Sequence, residues 1–127
     1  MLLLVCLSSF FATQIYVVNS DSRTLSRIDT ATLNVNNSFA QLGLTPNRML
    51  VKGDEIYVVC SGANSLQIFN RESGSLLDDI FVAGSANPWD VAADGDYLYV
   101  TGYFTDKVYK INRPTGSVIA NVNVGIS

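Results

Sequence analysis

The 127-residue chain contains no histidine. That removes the side chain that most readily serves as a general base near neutral pH, and with it a histidine-based triad and histidine-ligated zinc. Cysteine is scarce as well. Cys6 lies in the apolar opening of the chain and Cys60 far from it, so no CxxC spacing exists to carry a metal or redox motif. Cys60 reads as a small buried strand residue, since an unpaired cysteine packs as a small hydrophobe; a mixed disulfide is the lesser alternative. Charged residues make up only 15% of the chain, the net charge is −3, and neither sign forms a block of five. The basic footprint of a nucleic-acid-binding surface is therefore missing. No apolar run reaches the ~20 residues that a membrane-spanning helix requires. What the chain does have is an apolar fraction of 48%, enough for one domain with a core.

Residues 1–14, "MLLLVCLSSFFATQ", admit two readings. The apolar run Leu2 to Leu7 followed by Ser8-Ser9 fits a secretory signal, although the basic start is absent and cleavage after Ala12 would put Phe10 at the −3 position. A lipoprotein signal through Cys6 is weaker, because Val5 precedes it. The competing reading is a truncated start, in which the run is a strand left over from a preceding repeat.

The rest of the chain repeats itself. "IYVVNS" at 15–20 returns as "IYVVCS" at 56–61 and "LYVTGY" at 98–103, at offsets of 41 and 42 residues. Pro46 corresponds to Pro88, and Gly53-Asp54 to Gly95-Asp96, which gives units 15–55, 56–97 and 98–127. Within each unit the β-branched and aromatic "YV" run is followed by a second alternating segment, "TLSRID", "SLQIFN" or "KVYKIN". A turn comes next, where Gly74 and Gly116 can supply a positive φ. The third segment, "SLLDDIFV" or "SVIANVNV", alternates so that aliphatics should point inward and asparagines and aspartates outward. A fourth starts at the proline and ends in the Gly-Asp turn. Four strands per ~42-residue unit is the pattern of a β-propeller blade, a four-stranded antiparallel sheet repeated every ~40–45 residues. Nothing before Ile15 resembles the proline-led segment, so the first blade is expected to lack its innermost strand.

The motifs "YVVN" (Tyr16–Asn19), "YVVC" (Tyr57–Cys60) and "YVTG" (Tyr99–Gly102), each followed by "ID", "FN" or "IN" and a turn, resemble the YVTN β-propeller repeat. The resemblance covers Ile15 to Gly125 and is similar to YncE-type and surface-layer propellers and to lactonase-type propellers. It implies an all-β fold of propeller blades, about three of a seven-bladed ring that would need on the order of 290 residues at this period. It also implies a secreted, periplasmic or cell-surface protein that acts as a non-catalytic scaffold for a small molecule or a protein. A lactonase-type hydrolase and a structural surface-layer or adhesion module are the alternatives. An arc of three blades leaves both end faces open, where self-association would occur.

Propeller ligands meet the loops or the channel mouth, where the innermost strands converge. The repeat's register places Asn47, Arg48, Trp89 and Asp90 there, with Trp89 as a stacking surface for an anionic or sugar-like ligand. The bland alternative makes Trp89 a filler between blades and Arg48 and Asp90 a structural pair. Asp54, Glu55, Asp94 and Asp96 read as turn carboxylates, and "DGD" alone falls short of a calcium loop. Asp78-Asp79 reads as solvated or edge-protecting. Tyr16, Tyr57 and Tyr99 recur as packing residues, whereas Tyr97, Tyr103 and Phe104 break the regularity and read as lining a loop face. No catalytic residue, metal ligand or cofactor motif is identified.

Overall fold

The computed structural model describes residues 4–7 and 13–125, with side chains from residue 13 onward. Twelve strands follow one another: β1 (Leu4–Leu7), β2 (Gln14–Asn19), β3 (Thr24–Asp29), β4 (Val35–Gln41), β5 (Pro46–Lys52), β6 (Glu55–Cys60), β7 (Ser65–Asn70), β8 (Leu76–Phe81), β9 (Pro88–Asp94), β10 (Tyr97–Gly102), β11 (Lys107–Asn112) and β12 (Ser117–Asn123). The described residues add one 3-10 turn, Ser61–Ala63, and no helix long and apolar enough to cross a membrane. The strands form three four-stranded antiparallel sheets, β1–β4, β5–β8 and β9–β12. These are three blades of a β-propeller.

One expectation needs correction. The first blade has its innermost strand: β1 pairs with β2 from Leu4↔Val17 to Leu7↔Gln14. It escapes the repeat pattern because its copy lacks both the leading proline and the Gly-Asp turn, and a short apolar run suits a strand as well as a leader. The sequence unit is therefore one strand out of phase with the blade, its fourth segment being the innermost strand of the next sheet. Residues 1–3 and 8–12 of the opening run lie outside the described residues.

The second blade shows why the repeat has its composition. β6 is buried on both faces: Ile56, Val58 and Cys60 pack with Tyr16, Val18 and Leu25 of the first blade. Tyr57 and Val59 pack with Leu98, Val100 and Ile111 of the third. A strand between two blades must be apolar at every position, hence "IYVVC". Each aliphatic so buried contributes about 1.5–3 kcal/mol. The recurring tyrosine adds a specific tie. Tyr16 donates its hydroxyl to the Arg71 carbonyl, 3.1 Å away in the next blade's β7–β8 turn. Cys60 is fully buried and free, and burial pushes its thiol up to about 12, so it is unreactive.

The residue closing each third strand builds the turn after it. Asp29 Oδ1 accepts from the Ala31 and Thr32 amides at 2.8 and 3.0 Å, and Asn70 Oδ1 from Glu72 and Ser73 at 3.0 and 2.9 Å. Asn112 does the same toward Thr115 at 3.2 Å. These local bonds explain the "ID", "FN" and "IN" motif. The outermost strands depart from expectation. In β8 only Ile80 is buried and in β12 Val118 is half-buried, while Leu76, Leu77, Phe81, Ile119 and Val122 are exposed. An edge strand at the rim is covered by neighbouring blades along part of its length only. Asp79 accepts from Gln67 Nε2 at 3.0 Å, and Asp78 approaches Arg113 of the third blade at 3.6 Å, so both aspartates have partners.

Candidate functional site

The β2–β3, β6–β7 and β10–β11 turns and the interblade linkers 42–45 and 82–87 gather at one end of the blades. Backbone bonds tie them together, among them Leu42 N to Arg23 O (2.8 Å), Val82 N to Asn64 O (2.9 Å) and Ser61 N to Thr45 O (3.0 Å). Between the second and third blades this end opens into a groove of about 480 Å³.

The four residues marked from the sequence are distributed as follows. Trp89, at the start of β9, lines the groove and is 43% exposed. Its neighbour Asp90 faces the other side of the third blade, in a depression shared with Ala92, Tyr99, Thr101 and Val108. There its Oδ1 accepts from the Val91 amide at 2.8 Å. Asn47 is buried where β5 bulges against β6, and its Nδ2 has no partner. Arg48 is half-buried with an unpartnered Nε. Arg48 and Asp90 do not pair; among the described residues the ion pairs are those of Arg113 with Glu55 and Asp78. Equivalent positions in successive blades both point forward, one blade apart, which is why matching register does not produce contact.

Two residues join Trp89 that the sequence reading left separate from it. The Tyr103 ring lies 5.7 Å from Trp89 and 5.3 Å from Phe104, and the two are 63% and 69% exposed. Such exposure would be expected to let the loop collapse, yet its backbone is pinned. Tyr103 N donates to Asn87 O at 3.1 Å and Phe104 N to Ala86 O at 3.3 Å. Below them Tyr109 donates its hydroxyl to Thr105 Oγ1 at 3.0 Å. Gly102 makes this fold-back possible, since a Cβ there would sit 2.4 Å from Thr105 Oγ1 and 3.2 Å from the Ala86 carbonyl.

The register of the blades shows how unusual the cluster is. Tyr103 and Phe104 occupy the positions of Ser61 and Gly62 in the second blade and Ser20 and Asp21 in the first, and Trp89 occupies the position of Asn47. The positions shared by all copies build the propeller; the third copy's departures from them meet at one spot. Trp89 and Tyr103 are 14 residues apart in sequence, and the pairing of Gly102 with Pro88 brings them together. The signal available to sequence reading was therefore the mismatch between copies.

At the opposite end of the same interface a charged cluster has a different character. Arg113 donates to both oxygens of Glu55, Nε at 3.0 Å and Nη2 at 2.6 Å, and Tyr57 donates its hydroxyl to the same carboxylate. These hydrogen bonds from Arg113 hold Glu55 below the usual carboxylate range, while burial and the adjacent carboxylate push Tyr57 up to about 12. Glu55 is thus an interblade clamp rather than the turn carboxylate its sequence position suggested.

No family model and no curated protein matches the chain. Solved structures do. The chain superposes on AztD from Citrobacter koseri with a TM-score of 0.73 at 15% identity, covering 94% of this chain and 34% of that one. On virginiamycin B lyase from Staphylococcus aureus the TM-score is 0.75 at 10% identity, with 94% and 40% covered. On the nidogen/laminin complex it is 0.67 at 19% identity, with 88% and 43% covered. The chain therefore spans about a third of the length of propellers such as AztD. At these identities the likeness establishes the fold, and the fold is shared by an enzyme and by a protein held in a complex.

Proposed function

We propose that the chain is part of a non-catalytic ligand-binding propeller of the YVTN type, that its open blade faces take further blades, and that its ligand seats in the Trp89 groove. The observation that carries this reading is the convergence of three repeat-breaking aromatics beside a concave surface, Trp89 on β9 with Tyr103 and Phe104 on a pinned loop. Exposed aromatics cost solubility, and a fold that only stacks blades gains nothing from them. A lactonase-type reaction would call on a free carboxylate as base, and Glu55, one of the half-buried carboxylates, is committed to Arg113 and Tyr57. A secreted or cell-surface location is proposed with the YVTN resemblance; recovery of the protein solely from the cytosol of a producing cell would remove that part.

Ligand-detected NMR tests the binding reading with one mixed panel of small anions, neutral sugars and short peptides. At least one class is expected to show saturation transfer from the chain, and Trp89→Ala to abolish it with an unchanged melting temperature. Silence across the panel, or transfer indifferent to Trp89→Ala, would overturn it.

A further inference from the structure

The groove's lining is specific in what it omits. It contains no charged side chain: Trp89 and Phe104 form the aromatic part, and Thr45, Asn64, Ser85 and Asn87 supply polar groups. An anion would find no cation there, and a cation no carboxylate. From this lining we infer that the groove binds a neutral oligosaccharide, an inference that rests on the ligand-binding reading above. A pyranose ring has an apolar C–H face that covers an aromatic ring and a rim of hydroxyls that both donate and accept. Aromatic side chains provide large, rigid area for the first requirement, and amides and hydroxyls meet the second without the desolvation cost of a charge.

The polar groups are available and held in place. Asn64 uses its Oδ1 to accept the Asn87 amide at 2.9 Å, so this side-chain carbonyl joins the β6–β7 turn to the linker. The Asn64 Nδ2, the Thr45 and Ser85 hydroxyls and the Asn87 side-chain amide make no hydrogen bond within the described residues. Beneath Thr45, Gly62 keeps the surface open, since a Cβ at that position would lie 2.7 Å from the Thr45 hydroxyl. The aromatic area favours an oligomer over a single sugar, because the Tyr103 ring, outside the groove's lining, adjoins both Trp89 and Phe104 and extends the surface beyond one ring.

Trp89 is the sole tryptophan, so intrinsic fluorescence reports on this groove alone. The purified chain, its β-sheet signal checked by circular dichroism, would be titrated with cellohexaose, chitohexaose, xylohexaose and mannohexaose. Oligogalacturonate serves as the charged counterpart and a proline-rich peptide as the alternative occupant of an aromatic groove. At least one neutral hexamer is expected to give a saturable shift, with Phe104→Ala weakening it roughly tenfold or more at unchanged melting temperature. A response confined to oligogalacturonate or to the peptide overturns the sugar assignment and keeps the binding reading. No response to any probe overturns both.

Discussion

Arg113 and Arg71 hold equivalent places in successive blades, and their neighbours decide what each does. Arg71 Nη1 reaches the Gly53 carbonyl of its own blade at 3.1 Å, whereas Arg113 crosses to the second blade and grips Glu55 with two charge-assisted bonds. The first blade carries Gln14 where the second carries Glu55, so its interface has no such clamp. Because Glu55 is held below the usual carboxylate range by Arg113, its contribution is present above that range. It is lost as the pH falls through the lowered value. Glu55→Gln should therefore lower stability by about 1 kcal/mol at neutral pH, the figure reduced for partial solvent exposure. The gap from the parent chain should close in acid. Urea melts of both proteins at pH 7 and pH 3 check this, and a pH-independent gap would refute the clamp.

At the scale of the element, the β3–β4, β7–β8 and β11–β12 turns share one geometry with two kinds of residue at the left-handed position: Leu33 (φ 59°), Gly74 (φ 75°) and Gly116 (φ 67°). Packing explains the choice. A Cβ on Gly74 would lie 2.2 Å from the Phe39 carbonyl of the first blade, and one on Gly116 would meet the Asp78 side chain at 2.7 Å. Leu33 is 73% exposed and meets no such obstacle. Gly74→Ala should then cost upward of about 2 kcal/mol, strain and backbone collision combined, and Gly116→Ala less because Asp78 can swing away. Leu33→Gly should be neutral or stabilising by up to about 1 kcal/mol through relief of the left-handed strain. Thermal melts rank the three, and a Gly74→Ala protein as stable as Leu33→Gly would contradict the packing account. Here the sequence was legible in one respect, the need for positive φ at Gly74 and Gly116, and silent in another, since nothing in a turn's residues says that a neighbouring strand crosses it. The same division runs through the molecule. Strand identity and blade architecture follow from local alternation and the repeat, so they could be read. The inner strand β1, the exposed rim of β8 and β12, and the meeting of Trp89 with Tyr103 depend on which surfaces come together, which local pattern does not encode.

At the scale of the whole molecule, one kind of interface is used twice. Each blade presents a forward face, with its tyrosine, to the backward face of the next, as Tyr16 does toward the Arg71 turn and Tyr57 toward Arg113. One forward and one backward face remain. The third blade's forward face carries Tyr97, Tyr99 and Val108, with the Lys110 ammonium 3.9 Å from the Tyr97 ring centre. The first blade's backward face carries the half-buried Ile15 and Ile28. These are the two halves of a contact the chain already makes, and a heterologous contact of this kind either closes a ring or propagates. Two copies supply six blades, within the four to eight that close a propeller. The isolated 127-residue chain is accordingly expected to have the mass of two chains by light scattering. Tyr99→Glu, which places a charge where the repeat puts its packing tyrosine, should return it to one. A parent chain that stays monomeric with a cooperative melt would show that its open faces are tolerated by solvent. Association that survives Tyr99→Glu would move the contact to the exposed rim formed by Leu76, Phe81 and Val122.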